Sequence, residues 1–320
     1  MNQKGETLTL EVVLAEPRGF CAGVVRAVDI VELALQQFQP PVYVFHEIVH
    51  NPYVVNDLRK KGAIFVSNLD EVPTGAVTIF SAHGVATSVV RQAEEKQLEV
   101  IDATCPLVTK VHLQAQKYSR SGCEVIIIGH VGHEEVEGTM GSVPGPVYVV
   151  ATPEDAKSLS VKNPEKLAYV TQTTLSVDDT KDVIAALLQR FPTIKGPSTD
   201  DICYATQNRQ NAVRELSERV DLLLVVGARN SSNSNRLREV GTLWGIPAHL
   251  IQDESEIQES WLQNVIKVGI SAGASTPEIL VERVIARLND FGASAVRSMD
   301  GVKEKTTFVL PKILVASMTE

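Results

Sequence analysis

Leu222-Leu-Leu-Val-Val226-Gly-Ala-Arg-Asn-Ser231-Ser-Asn-Ser-Asn235 reads as a strand-like apolar run that breaks into a loop of small polar residues. Helical periodicity at Gln207–Val220 precedes it, and the same alternation recurs along the whole chain. Strands read at Leu10–Ala15, Val42–Phe45, Ala76–Phe80, Val125–Ile128, Leu167–Val170 and Val268–Ile270. Helical spacing reads at Ala22–Phe38, Val108–Ser119, Val177–Phe191 and Pro277–Leu288. Ser176, with Asp179 three residues on, predicts a side-chain cap for the helix at Val177. Beyond Gly292 the pattern is less regular, and Thr306–Leu310 predicts one more strand. Alternating strands and helices of this kind predict an α/β fold with mostly parallel sheets.

The 320 residues suffice for one to three domains, and 44% apolar with 22% charged residues is an ordinary globular balance. A net charge of −9 argues against broad binding to nucleic acid or anionic membrane, though not against a small anion in a locally positive pocket. No apolar run approaches a membrane span, and Met1–Leu10 has neither a signal-peptide core nor an Arg-rich transit pattern. A soluble, cytoplasmic protein is the expectation. Four cysteines without a Cys-x-x-Cys pair do not form a disulfide framework.

Three of these cysteines share a setting. Pro-Arg-Gly-Phe-Cys21-Ala-Gly, Asp-Ala-Thr-Cys105-Pro-Leu and Asp-Asp-Ile-Cys203-Tyr-Ala each carry a thiol from a polar loop to the start of a helix. Their spacings of 84 and 98 positions match one small α/β unit each. Helix N-termini lower a thiol pKa and offer N–H groups to cluster sulfides. Structural zinc takes four ligands, so three equivalent thiols point to an iron–sulfur cluster with one open iron. Spacing alone leaves three ordinary core cysteines as the alternative. Cys123, between Ser121-Gly122 and a strand, lacks this setting.

Ligands of parallel α/β sheets sit beyond the carboxyl ends of the strands. Here those ends lead into Ser81-Ala-His83-Gly, Gly129-His-Val-Gly-His133-Glu-Glu135, Thr171-Gln-Thr173-Thr, the 227–235 loop and Ser271-Ala-Gly-Ala-Ser275. Hydroxyls, Asn side chains and N–H groups at helix starts make anion cradles, and His50, His83, His133, Ser231, Ser232, Asn233 and Ser275 would serve two phosphates. Helix caps and turns are the simpler reading of any one loop. Neither a Walker-type loop nor a dinucleotide fingerprint is present. His46, His112, His130 and His249 are expected to be structural or surface residues. A thiol- or zinc-dependent hydrolase stays open, since no thiol is marked as a nucleophile.

Nine runs, including Pro-Arg-Gly-Phe-Cys21-Ala-Gly, His46-Glu-Ile-Val-His50-Asn, Asp-Ala-Thr-Cys105-Pro-Leu-Val, Gly132-His133-Glu-Glu135-Val, Asp-Ile-Cys203-Tyr-Ala-Thr and Ala-Gly-Ala-Ser275, resemble in order those of the 4-hydroxy-3-methylbut-2-enyl diphosphate reductases. The resemblance spans about residues 10 to 280. It implies a trefoil of three α/β units, here 10–104, 105–200 and 201–290 with a 291–320 tail, the N-terminal strand pairing with the third unit. It further implies a central [4Fe–4S] cluster held by Cys21, Cys105 and Cys203, one iron being open to the substrate hydroxyl. The reaction implied is reductive dehydroxylation to isopentenyl and dimethylallyl diphosphates, with electrons from a ferredoxin or flavodoxin. By the same carry-over His50, His83, His133, Ser231, Ser232, Asn233 and Ser275 hold the diphosphate, and Glu135 supplies protons beside Thr173. The competing reading is a non-catalytic iron–sulfur sensor or electron carrier, which would not need an acid and an anion cradle together. Glu134 departs from the family pattern, where many relatives have proline, and Cys123 belongs to no motif.

The cysteine assignment has a direct test. Replacing Cys21, Cys105 or Cys203 by Ser should strip iron and sulfide from the protein, whereas Cys123→Ser should keep both near wild type. A Cys123→Ser protein without iron, beside one of the others with a full cluster, would refute the assignment.

Overall fold

The computed structural model describes residues 10–197 and 201–315. Its strands are β1 (Leu10–Leu14), β2 (Val42–Phe45), β3 (Ala63–Val66), β4 (Val77–Phe80), β5 (Glu99–Asp102), β6 (Glu124–Ile128), β7 (Val147–Val150), β8 (Leu167–Thr171), β9 (Leu222–Val226), β10 (Ala248–Ile251), β11 (Lys267–Ala272) and β12 (Ala293–Ser298). The helices are α1 (Ala22–Phe38), α2 (Pro52–Lys60), α3 (Thr87–Glu95), α4 (Pro106–Arg120), α5 (Glu134–Ser142), α6 (Pro153–Ser158), α7 (Val177–Arg190), α8 (Tyr204–Ser217), α9 (Ser232–Leu243), α10 (Glu278–Asp290) and α11 (Lys312–Val315). Three sheets result, with orders β10-β9-β11-β1-β12, β3-β2-β4-β5 and β7-β6-β8. Every strand pair in them is parallel, so the expected α/β class with parallel sheets holds.

Residues 10–21 and 204–305 form one compact unit. In its sheet β1 lies between β11 and β12, with Val12 beside Val268 and Val296. Strand β9, all five residues apolar, is buried along its whole length because helices cover both faces. Leu222, Leu224 and Val226 face Leu280, Val281 and Val284 of α10, while Leu223 and Val225 face Ala212, Val213 and Leu216 of α8 and Leu237 of α9.

The second unit holds residues 22–203 and the stretch from 306 onward. It contains both smaller sheets, so the expected first and second units group together. The reason is close backbone contact: a Cβ on Gly138 of α5 would stand 3.0 Å from the Gly84 carbonyl oxygen, and one on Gly141 would collide with Ala86. Two glycines thus let α5, which lies between β6 and β7, press onto the loop that follows β4. In the core of the β7-β6-β8 sheet Ile126 and Ile128 meet Val183 and Leu187 of α7. The Ser176 cap is present, its side chain accepting from the Asp179 N–H at 3.1 Å.

Two expectations need correction. Thr306–Leu310 is not a strand, for Val309 is 86% exposed and the segment joins no ladder. The extra strand is β12, whose Ala293-Ser-Ala-Val-Arg-Ser sequence has no apolar run but completes the free edge of β1. Helix α8 also starts at Tyr204, earlier than the periodicity from Gln207 predicts.

Truncation at the centre of the larger sheet should be costly. Leu224 is fully buried, so Leu224→Ala should destabilise the protein by about 2–5 kcal/mol, read as a lowered urea midpoint at unchanged slope.

Candidate active site

Each of the three like-set cysteines is fixed by its own backbone. The Cys21 N–H donates to the Ala274 carbonyl at 3.2 Å, Cys105 N–H to Ala82 at 3.0 Å, and Cys203 N–H to Thr173 at 3.1 Å. The acceptors are Thr173 itself and the residues next to Ser275 and His83, so each thiol loop is stitched to a polar loop at a strand end. All three cysteines are half-buried and outside disulfides, and each immediately precedes a helix. Pro106 begins α4 directly after Cys105, where its lack of an N–H costs nothing. Cys123 is buried among Val111, Ala115, Val125 and Ile127, an apolar setting with no ligand chemistry. Each of these three loops thus offers a thiol at a helix start, the donor chemistry an iron–sulfur group needs, and Cys123 does not.

The second unit gathers an acid and a group of imidazoles. The His50 and His83 rings stack at 4.1 Å and 19°, with His133 edge-on at 5.4 and 6.1 Å. Nearly parallel rings send their in-plane nitrogens side by side instead of converging on one point. That suits the separate oxygens of a phosphate better than a shared metal ion, although His50, His83 and Glu134 are close enough to suggest one. His133 caps α5, its Nδ1 accepting the Glu135 N–H at 3.1 Å, so its ring proton resides on Nε2. Burial first, then the neighbouring His83 and His50, push the His133 pKa down to about 3 and keep the ring neutral.

Glu135 is 3% exposed. Thr173 donates its N–H to Glu135 Oε1 at 2.7 Å and its hydroxyl to Oε2 at 3.0 Å. Burial pushes the Glu135 carboxyl up to about 7 even though both Thr173 hydrogen bonds favour the charged form. Desolvation wins, leaving a carboxylic acid able to hold a proton near neutral pH.

Glu134, the departure from the family pattern, is bonded into this group. His83 Nδ1 lies 2.8 Å from Glu134 Oε2, and His46 Nδ1 lies 3.4 Å from Oε1. Burial pulls the Glu134 carboxyl up, but His83, then His50 and His46, hold it below the usual carboxylate range. Burial is also the main cause of the lowered His83 pKa, against the opposite pull of Glu134. His46 is thus part of this surrounding, whereas His112 packs against Gly84 and His249 stacks on Trp261 at 3.8 Å. Sequence reading also missed Asp201, which accepts the Thr171 N–H at 3.2 Å and lies 3.6 Å from Lys110 Nζ. Both are anonymous charges in the chain.

In the other unit, Ser231, Ser232, Asn233 and Ser275 collect at the start of α9 and the adjoining loop after β11. Ser231 caps α9 by accepting the Ser234 N–H at 3.3 Å. Gly227 and Gly273 bring the two loops together, since a Cβ on either would overlap Ser234 Oγ, at 2.3 and 2.0 Å. Asn233 is 4% exposed, and among the described residues neither its amide nitrogen nor its amide oxygen has a hydrogen-bond partner. A buried amide left so costs about 1–3 kcal/mol, a cost for which the fold itself offers no return.

Comparison with known proteins decides the family. The model of the LytB protein family matches residues 12–289. The chain belongs to the LytB family. It is 56% identical over 315 residues to the 4-hydroxy-3-methylbut-2-enyl diphosphate reductase of Acinetobacter baylyi, covering 97% of this chain and all of that one. The reductase of the same name from Aromatoleum aromaticum is 57% identical over 304 residues, covering 95% and 97% of the two chains. Among solved structures, the E-1-hydroxy-2-methyl-but-2-enyl-4-diphosphate reductase of Plasmodium falciparum superposes with a TM-score of 0.93 at 38% identity, covering 97% and 98%. A second, described as the terminal enzyme of the non-mevalonate pathway, gives 0.64 at 36% identity, covering 88% and 99%.

Glu135 gives this site a pH signature. The folded carboxyl holds its proton up to about pH 7, against 4.5 for an ordinary Glu, so folding gains from it fully below pH 4.5 and loses that gain as pH rises through 7. Glu135→Gln should remove this loss. Between pH 5 and pH 8 the variant's unfolding free energy should gain on that of wild type by an amount on the order of 3 kcal/mol. Parallel curves for the two proteins would show that Glu135 titrates normally.

Proposed function

We propose that this chain reductively removes the hydroxyl of 4-hydroxy-3-methylbut-2-enyl diphosphate, giving isopentenyl and dimethylallyl diphosphates. The carrying observation is the buried Glu135 carboxyl, held by Thr173 with a pKa of about 7 on the same helix start as His133. An acid protonated near neutral pH beside stacked imidazoles suits a substrate that needs both protons and anion recognition. Relatives named for this reaction, 56–57% identical along nearly the whole chain, support the substrate.

The reaction takes an allylic C–OH, two electrons and two protons to C–H and water. Cys21, Cys105 and Cys203 would hold a [4Fe–4S] cluster, which would supply Lewis acidity toward the hydroxyl and a path for single electrons. A ferredoxin or flavodoxin provides those electrons, and the cytoplasm is the matching compartment. His133 donates from Nε2 to the diphosphate, and His50 and His83 add two more imidazoles. Ser231, Ser232 and Ser275 offer hydroxyls to it and Asn233 its amide. Glu135 gives up its proton to the departing oxygen, Thr173 keeping both carboxyl oxygens oriented as charge develops. Burial of Glu135 excludes bulk water from that proton.

Glu135→Gln tests this reading, because it keeps size and hydrogen-bonding shape and removes the proton. The variant should load its cluster and bind the diphosphate, with turnover reduced by about 10²–10⁴-fold under dithionite and a viologen dye. Near-normal turnover at full iron content would take Glu135 out of the mechanism. Glu134→Gln is not a neutral control here, since Glu134 contacts His83.

A further inference from the structure

We infer that Arg209, with Glu304 behind it, is a positioning residue that fixes the loop presenting Cys21. The inference rests on Cys21 being a cluster ligand. Arg209 sits on α8 with its side chain fully buried, and all five of its N–H donors are used. Nε donates to the Gly19 carbonyl at 3.0 Å, and Nη2 donates to Gly19 at 2.7 Å and to Phe20 at 3.3 Å. Nη1 donates to Ala205 at 3.0 Å and to Glu304 Oε1 at 3.0 Å. One guanidinium thus grips the two carbonyls immediately before Cys21 and that of Ala205, two residues after Cys203.

Glu304 is itself held in place. Asn208 Nδ2 donates to its Oε1 at 3.0 Å. The segment carrying it is anchored where Met299 N–H donates to Leu14 at 2.9 Å. At Gly301 a Cβ would lie 2.0 Å from the Glu16 carbonyl oxygen, so only glycine lets the chain run so close. Gly19, at φ +65°, turns the gripped loop, and a Cβ there would press the Thr276 oxygen at 3.1 Å. A buried ion pair is poor value as a stabiliser, because desolvation offsets much of its attraction. Apart from the carbonyl of its own helix, every acceptor belongs to the Cys21 loop or to the pinned tail, and this selectivity points to orientation of the thiol. Lysine cannot replace the planar fork, since its single ammonium cannot span Gly19, Phe20 and Glu304 together.

The test is cysteine alkylation in the cluster-free protein, read at each site by peptide mass spectrometry. In Arg209→Lys, iodoacetamide should modify Cys21 about ten times faster than in wild type, with Cys105 and Cys203 unchanged and Cys123 still protected. Glu304→Gln keeps an acceptor and the fold, and should accelerate Cys21 alone by about two- to threefold, which covers the case of an Arg209→Lys chain that does not fold. Reconstituted Arg209→Lys should also lose iron to a ferrous chelator faster than wild type. Unchanged Cys21 reactivity in both variants, or equal acceleration at all four cysteines, would overturn the proposal. The ligand assignment fails separately: a Cys21→Ser protein that keeps its iron removes Cys21 from the cluster, whatever the alkylation contrast shows.

Discussion

Three backbone hydrogen bonds, from the N–H groups of Cys21, Cys105 and Cys203 to Ala274, Ala82 and Thr173, tie the helix-start thiols to the scaffold. A parallel sheet ends all its strands on one side, and the loops there must satisfy their own polar groups. In this protein they do so partly through one another. The loop that offers a thiol borrows its acceptor from the loop that offers an imidazole, a hydroxyl or a threonine. Any shift of a cysteine loop is therefore felt by its polar partner, and the reverse. Site geometry becomes a property of the sheets, not of single loops.

The balance at Glu135 is decided by magnitudes. Two hydrogen bonds from Thr173 favour the carboxylate, yet burial at 3% exposure outweighs them and the carboxyl rises to about 7. Without those bonds the acid would be harder to ionise still, and a proton donor must release its proton as well as hold it. Thr173 thus sets how readily the proton leaves, in addition to where it sits.

Long elements and the thiol loops were legible in the chain because periodicity and helix-start chemistry are local signals. The four-residue strands β3, β5, β7 and β10 escaped notice because each shows too few residues to establish alternation, and each mixes buried with partly or fully exposed positions. Thr306–Leu310 misled for the opposite reason: its β-branched and aromatic residues suit a strand, but the fold leaves the segment unpaired with any of the three sheets. Tertiary context made a strand of Ala293–Ser298 instead. The roles of Glu134 and Arg209 could not be read at all, since a charge reveals its partner only when the fold brings the two together. Asn233 was named as an anion-cradle residue from its loop, but its unpartnered amide became visible only with burial.

The position of β1 has a consequence for biosynthesis. It is the fourth strand of a five-strand sheet whose other members are made far later, β12 ending at Ser298. At typical elongation rates of about 5–20 residues per second, Leu10–Leu14 waits roughly 15–60 s, both edges bare, before its neighbours leave the ribosome. A hydrophobic strand in that condition is a site for wrong pairing. The second unit can collapse meanwhile, but the first cannot close, and the Cys21 loop it carries has no Ala274 or Glu304 to hold it. Closure of the first unit is thereby deferred until translation is nearly over, and a chain truncated before Glu304 lacks the contacts that hold its earliest cysteine loop.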